Sequence, residues 1–300
     1  MKPLLATVVL ALACSFVLAQ TPAQDQIFKL NVNVDLVELH VSVIDENDRA
    51  VSGLAKENFR VTENQVDQPI TVFKHEDIPV SLGLVIDNSR SIEARKKRLD
   101  AAALTVVRKS NPEDETFVVH FDFDARLSQD FTSDETKLEQ ILAAEKPFGQ
   151  TALYDAIILA MAQMEKAQHT KKAILVISDG LDNVSKHTLA EAIEATKRAR
   201  VAVYPVGLLS AAEGAKAEQE LRSLADASGG KAYFPESEDQ AAAMMERIAR
   251  DLREQYTIGY VPNSARDGNW RSVRVEVTPP PGFPKKLTAN YRHGYYGPGN

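Results

Sequence analysis

The sequence predicts an α/β fold, a doubly wound and mostly parallel sheet with a small β-sandwich-like unit built from both flanks. Three observations predict it. Short, nearly continuous apolar runs at residues 80–86, 173–177 and 201–206 alternate with stretches of helical spacing, the pattern of strands buried on both faces. Period-two alternation of apolar residues occurs at both ends of the chain instead. Of three short polar segments, two fall where buried strands stop, which is where sheets of this kind place their ligands, and one falls just before a helix.

The first nineteen residues read as a cleaved signal peptide. Lys2 supplies a positive start, residues 4–18 are largely apolar, and Val17-Leu18-Ala19 precedes Gln20 as a small-residue cleavage site. The stretch falls short of the ~20 apolar residues that a membrane span requires; an N-terminal anchor is the competing reading. The only cysteine, Cys14, lies inside it, so the mature chain would hold neither a disulfide nor a cysteine metal site. In a further variant Cys14 becomes a lipid-modified first residue after Ala11-Leu12-Ala13, a poor match because the residue three before it is small rather than Leu. No later segment reaches membrane-span length. The expected product is exported, to the periplasm or the medium, with no transmembrane segment after cleavage.

Residues 27–76 read as the first half of the β unit. Leu30, Val32, Val34 and Leu36 alternate; Val37, Leu39, Val41 and Val43 then alternate one residue out of phase, the mark of a bulge or a change of sheet. Residues 45–49 are turn-like, and Phe59 with Val61 and Ile70 with Val72 suggest two more strands around Glu63-Asn64. Residues 78–252 form the α/β domain. Its helices show as Leu99, Ala103, Val106 and Val107, as Leu153, Ile157, Ala160, Met161 and Met164, as Leu189, Ala192 and Ile193, and as Met245, Ile248 and Leu252. Residues 117–121 are a further strand with a hairpin near Asp124, and residues 231–234 a last short one. Residues 254–300 return to alternation at Tyr256, Ile258 and Tyr260, at Val273, Val275 and Val277, and at Leu287, Ala289 and Tyr291. Neither flank alone buries a sufficient core, so the two are expected to pair, with the α/β domain inserted between them; two separate small β appendages are the competing arrangement.

Composition narrows the function. With 35 Lys and Arg against 42 Asp and Glu, the formal charge is −7, which argues against nucleic acid as a partner. Hydrophobic residues at 44% and charged residues at 26% suit a folded globular chain.

The polar segments are Asp87-Asn88-Ser89-Arg90-Ser91, Gly149-Gln150-Thr151-Ala152-Leu153-Tyr154-Asp155 and Ile177-Ser178-Asp179-Gly180. Among them Asp87 and Asp179 offer two carboxylates and Ser89, Ser91 and Thr151 three hydroxyls, hard oxygen donors that suit Mg²⁺ or Mn²⁺ rather than a thiolate-loving metal. Serine and threonine fix an ion without quenching its charge, so a dication held mainly by hydroxyls would keep an exchangeable position for an outside carboxylate. Each segment alone has a plain reading as a helix cap or turn; their order and placement set them apart.

Asp87-x-Ser89-x-Ser91, then Thr151, then Asp179 resembles the metal-ion-dependent adhesion site of von Willebrand factor type A domains. The similarity spans residues 78–252, and Gln150 departs from it where relatives often carry a second glycine. The flanks, with Gly53-Leu54, Phe59-Arg60-Val61 and Tyr291-Arg292-His293-Gly294-Tyr295-Tyr296, resemble those of bacterial exported proteins related to this family. The resemblance implies a Rossmann-like fold and a protein partner presenting an Asp or Glu. It makes Ser89, Ser91 and Thr151 direct or near-direct ligands, with Asp87 and Asp179 acting partly through water.

Other residues have plainer readings. His120 is a strand residue, Asp122 and Asp124 belong to a solvated hairpin, Asp182-Asn183 to a turn, and Trp270 packs on the β unit. The basic run Arg95-Lys96-Lys97-Arg98 reads as a solvated helix face. A metal-dependent hydrolase is the rival class, yet the three segments contain no cysteine or histidine, and no Walker-type phosphate loop is present. The expectation is a non-enzymatic binding module, with a scaffold braced by its metal as the alternative.

Overall fold

A computed structural model describes residues 36–109, 111–179, 181–209 and 214–299. The expected signal peptide, Cys14, and the alternation at Leu30, Val32 and Val34 lie outside them. The N-terminal flank supplies β1 (Val37–Ile44), β2 (Phe59–Glu63), β3 (Val66–Gln68) and β4 (Val72–Lys74). Then come β5 (Val80–Asp87), α1 (Lys96–Arg108), β6 (Glu115–Phe121), β7 (Ala125–Thr132), α2 (Glu135–Ala144) and α3 (Leu153–Met164). They are followed by β8 (Lys171–Ser178), α4 (Leu189–Ala199), β9 (Ala202–Gly207), α5 (Gly214–Ser228) and α6 (Glu238–Arg253). The C-terminal flank adds β10 (Tyr256–Tyr260), β11 (Trp270–Val277), β12 (Thr288–Asn290) and β13 (Gly294–Tyr296).

The central sheet has the order β7-β6-β5-β8-β9, parallel throughout except for β7, which runs antiparallel to β6. Every residue of β5 is buried, as an apolar run covered on both faces requires. Leu82, Leu84 and Ile86 join Leu99 and Val106 of α1 and Met245 and Ile248 of α6 in one layer. Val85 joins Leu153, Ile157 and Ala160 of α3 and Ala192 of α4 in the other. Gly83 allows the ring of Phe117 to cross the strand, since a Cβ at that position would stand 2.5 Å from it.

The flanks pair as expected. Two antiparallel sheets, β12-β1-β10-β4 and β13-β11-β2-β3, each combine strands from both ends of the chain. Val37 lies opposite Tyr260 and Val41 opposite Tyr256; Glu63 lies opposite Val273. Leu39, Val41, Val61, Tyr256, Ile258 and Val275 share the core between them. The Tyr256 hydroxyl donates to the Val51 carbonyl (2.9 Å) and accepts from the Leu54 amide (3.1 Å), which anchors the β1–β2 connection.

Local differences from the sequence reading have local causes. Residues 231–234 form no strand; a single bridge joins Tyr233 to Val206. Just before it the backbone of Gly230 lies so close to β9 that a Cβ there would fall 2.0 Å from the Val203 carbonyl oxygen. Helix α2 escapes a periodicity search because it buries only Leu138 and Leu142; its start is set by Asp134, which accepts from the amides of Thr136 (3.0 Å) and Lys137 (3.3 Å). Helix α5 likewise has weak periodicity, its buried face being Ala217, Leu221, Leu224, Ala225 and Ser228. Among the described residues no helix is long and apolar enough to cross a membrane.

Candidate metal centre

Strand β5 sits between β6 and β8, so the connections at its carboxyl end diverge to opposite sides and open a crevice there. Asp87 closes β5 at the floor of this crevice and is wholly buried. Its Oδ1 accepts from the Ser89 amide (2.8 Å) and its Oδ2 from the Ser178 hydroxyl (2.6 Å), which lock the carboxylate in place. Burial pushes the Asp87 carboxyl up to about 6, against the pull of these donors and with the charge of Asp179 adding to the rise.

From Asp87 the donors climb towards solvent. Ser89 is buried, and its hydroxyl lies 3.0 Å from that of Ser91, which is exposed. Ser91 in turn donates to Asp179 Oδ1 (2.8 Å). Asp87, Ser89, Ser91 and Asp179 thus stand in one connected chain of hydrogen bonds. Thr151, buried on the neighbouring loop, makes its backbone bonds to Asn183: its amide donates to Asn183 Oδ1 (3.0 Å) and its carbonyl accepts from the Asn183 amide (3.0 Å). Asp182 supports the same loop by accepting from the Tyr154 amide (3.1 Å). The turn role expected of Asp182-Asn183 is therefore a clamp on the Thr151 loop.

Several neighbours were not legible beforehand. Ser178 orients Asp87, and Arg95 reaches Asp179: Nη2 donates to Oδ2 at 2.8 Å while Nη1 donates to the Leu208 carbonyl at 3.2 Å. The solvated-face reading of the basic run fails at Arg95 and again at Lys96, which is buried against Asp100 (2.9 Å) and the Leu142 carbonyl (3.0 Å). A charged run at the start of a helix looks solvated until the helix is docked, which here buries Lys96 and brings Arg95 onto Asp179. Phe123 and Phe148 form an exposed aromatic pair, 46% and 57% accessible with centroids 5.6 Å apart. They belong to the rim, because the Phe148 amide donates to the Asn88 carbonyl (2.8 Å) and Phe123 lies against Gly149. Gly149 has φ +83° and would place a Cβ 2.6 Å from the Phe123 ring, so glycine is required there twice over.

The plain readings of the remaining residues hold. His120 is buried on β6 beside Ser128 (2.9 Å), and burial lowers its ring to about 3, leaving it neutral. Asp122 is held by Arg126 (2.7 Å) and Asp124 by Lys186 (3.6 Å).

The donors are oxygens without exception. Among the described residues no group of three or more His, Cys, Asp or Glu is placed to hold a metal. An ion at this crevice would therefore depend on the serine and threonine hydroxyls beside two carboxylates, a donor set that fits Mg²⁺ or Mn²⁺.

Residues 82–181 match the von Willebrand factor type A domain. No curated protein matches the chain. Among solved structures, proximal thread matrix protein 1 from the mussel byssus superposes with TM-score 0.53 at 17% identity, over 65% of this chain and 50% of that one. The present chain thus spans half the length of the mussel protein, whose structure carries zinc in its metal-ion-dependent adhesion site motif. The D319A variant of the PilB minor pilin from Streptococcus sanguinis superposes with TM-score 0.51 at 12% identity, over 72% of this chain and 78% of that one. These likenesses establish the type A fold.

Proposed function

We propose that the type A domain binds one Mg²⁺ or Mn²⁺ through Asp87, Ser89, Ser91, Thr151 and Asp179, and captures an exported-compartment protein partner through that partner's Asp or Glu. The observation that carries this reading is the hydrogen-bonded chain Asp87, Ser89, Ser91, Asp179 at the switch point of the sheet. In it Asp87 and Ser178 fix the floor, Ser89 and Ser91 present neutral oxygens, and Asp179 supplies the second charge. A dication held there offers an under-neutralised, exchangeable position to an outside carboxylate, in a partly desolvated crevice where the attraction exceeds its value in water. Phe123 and Phe148 add apolar area beside that position for the residues flanking the carboxylate. The three polar segments contain no histidine to act as base and no cysteine to act as nucleophile, which favours a binding module over an enzyme. Residues 78–252 are its binding domain, and the paired flanks are its platform.

Calorimetry tests the metal. The protein should take up one Mn²⁺ or Mg²⁺, and the Asp87→Ala/Asp179→Ala double variant should take up none; equal uptake by both would overturn the site. Partner capture is tested with a partner isolated by pull-down. Thr151→Ala removes one hydroxyl on a loop, so the fold should survive while capture falls roughly 10–100-fold, and chelator should have at least the same effect. If capture is indifferent to chelator and to Thr151→Ala, the metal is a structural brace and the binding face lies elsewhere.

A further inference from the structure

We infer that the chain carries a second binding site, for a small dianion, in a cation-lined cavity at the opposite pole of the central sheet. The cavity has a volume of about 340 Å³ and lies between β1, the start of β8 and the C-terminal segment. Lys171 opens β8 and Ser178 closes it, so at ~3.3 Å per residue the cavity is about 23 Å from the metal centre. The inference is independent of the metal reading.

Charge and geometry agree. Lys171, Lys172, Arg200 and Arg292 line the cavity, with Glu38 as its single carboxylate. Glu38 lies 3.5 Å from the His40 imidazole. Arg292 donates from Nη2 to the Glu38 carbonyl oxygen (2.9 Å), but its Nη1 is wholly buried and has no hydrogen-bond partner among the described residues. Buried donors are almost always satisfied, and a guanidinium is shaped to meet two oxygens of one anion. Lys171 is 2% exposed, and its ammonium donates to the Leu252 carbonyl, which uses one of its three donors. The carboxylates nearest it in charge, Asp77 and Asp114, are already held by Arg253 at 2.9 and 2.7 Å. Lys172 donates to the Met164 carbonyl (2.9 Å), and Arg200 stands exposed at the mouth.

The protonation equilibria point the same way. Burial, and then the charge of Arg253, lower Lys171 to about 8; burial, and then Arg200, lower Arg292 to about 10. Burial, and then Lys171 and Arg292, lower His40 to about 4. The charges that act the other way, Asp77 and Asp114 on Lys171 and Glu38 on Arg292, do not offset burial, and a bound anion would relieve both cations. The chemistry fits a group with at least two negative oxygens, a phosphate or a pair of carboxylates, seated between Arg292 and Lys171. The volume admits more than the bare group, so the natural ligand would carry an organic part. Because Lys171 belongs to the central sheet, Glu38 and His40 to β1 and Arg292 to the last segment, such a ligand would brace the β unit against the type A domain.

The test uses the whole mature protein in EDTA, with inorganic phosphate and succinate as probes and sodium chloride at matched ionic strength as control. At least one oxyanion should raise the melting temperature by several degrees and bind once per chain by calorimetry. Arg292→Met and the exposed Arg200→Gln should each weaken that binding at least tenfold. Binding of phosphate alone assigns a phosphate ligand, and of succinate alone a dicarboxylate. Should Arg292→Met fail to fold, Arg200→Gln and Lys172→Gln decide. The inference is overturned if neither oxyanion outperforms chloride, or if the folded variants bind as tightly as the unaltered protein.

Discussion

Replacing Glu63 by Ala is expected to lower the unfolding free energy by about 3–5 kcal/mol, the usual cost of removing one partner from a buried ion pair. Glu63 ends β2 with a side chain 1% exposed, and four groups from the C-terminal flank converge on it. The hydroxyls of Tyr260 (2.9 Å) and Tyr295 (2.6 Å) donate to Oε2, the Ser264 hydroxyl donates to Oε1, and the buried guanidinium of Arg271 lies 3.8 Å away. Truncation leaves two buried hydroxyls without their acceptor and Arg271 without its buried counter-charge. Asp267 and the Ala265 carbonyl still engage Arg271, yet neither reaches the tyrosines. Glu63→Gln keeps an acceptor in place and should cost distinctly less. Urea unfolding of both variants gives the answer, through the midpoint at unchanged slope. A Glu63→Ala protein within 1 kcal/mol of the original would mean that the flanks are joined by their strands alone.

Replacing Arg95 by Met is expected to tighten Mn²⁺ binding at least tenfold, on the metal reading proposed above. Asp179 is the carboxylate nearest the crevice mouth, and its Oδ2 is taken by Arg95 at 2.8 Å with the carboxylate 2% exposed. A dication arriving beside Asp179 meets that guanidinium, whether or not the ion pair opens. At about 6 Å and an effective dielectric near 20, the repulsion is roughly 5 kcal/mol, and about 1.4 kcal/mol of it already amounts to a factor of ten. Methionine keeps an apolar stem of similar length while removing the charge. Calorimetric titration of the two proteins with Mn²⁺ decides the matter. Unchanged or weaker uptake by Arg95→Met would show that the arginine holds Asp179 in its working position rather than competing for it.

The parts of the site legible in the sequence are those set by local pattern. Asp87 and Asp179 were placed at strand ends because apolar runs stop there, and Thr151 at a helix start because apolar spacing begins after it. Ser178 lies within a segment that the sequence singles out, but its bond to Asp87 crosses from β8 to β5 and depends on the parallel pairing of those strands. Asn183 and Asp182 read as a turn, and they are one; that they clamp the Thr151 loop follows only from how the two loops meet. Helices α2 and α5 escaped because short or alanine-rich buried faces leave weak periodicity.

By itself the sequence determined the element types over most of the chain, the doubly wound class of the central sheet, the β character of both flanks, and the identity and order of the oxygen donors. These are written in periods of two and 3.6 and in turn chemistry, all of which act over a few residues. Only the tertiary structure decided that the flanks interleave in two antiparallel sheets, that Arg95 turns in upon Asp179, and that Lys171 and Arg292 meet in one cavity. Such contacts join residues distant in the chain, and their energy depends on which groups burial brings together. A lysine or arginine reads as solvated from its neighbours in sequence; it becomes a buried, interacting charge only when the sheet closes over it.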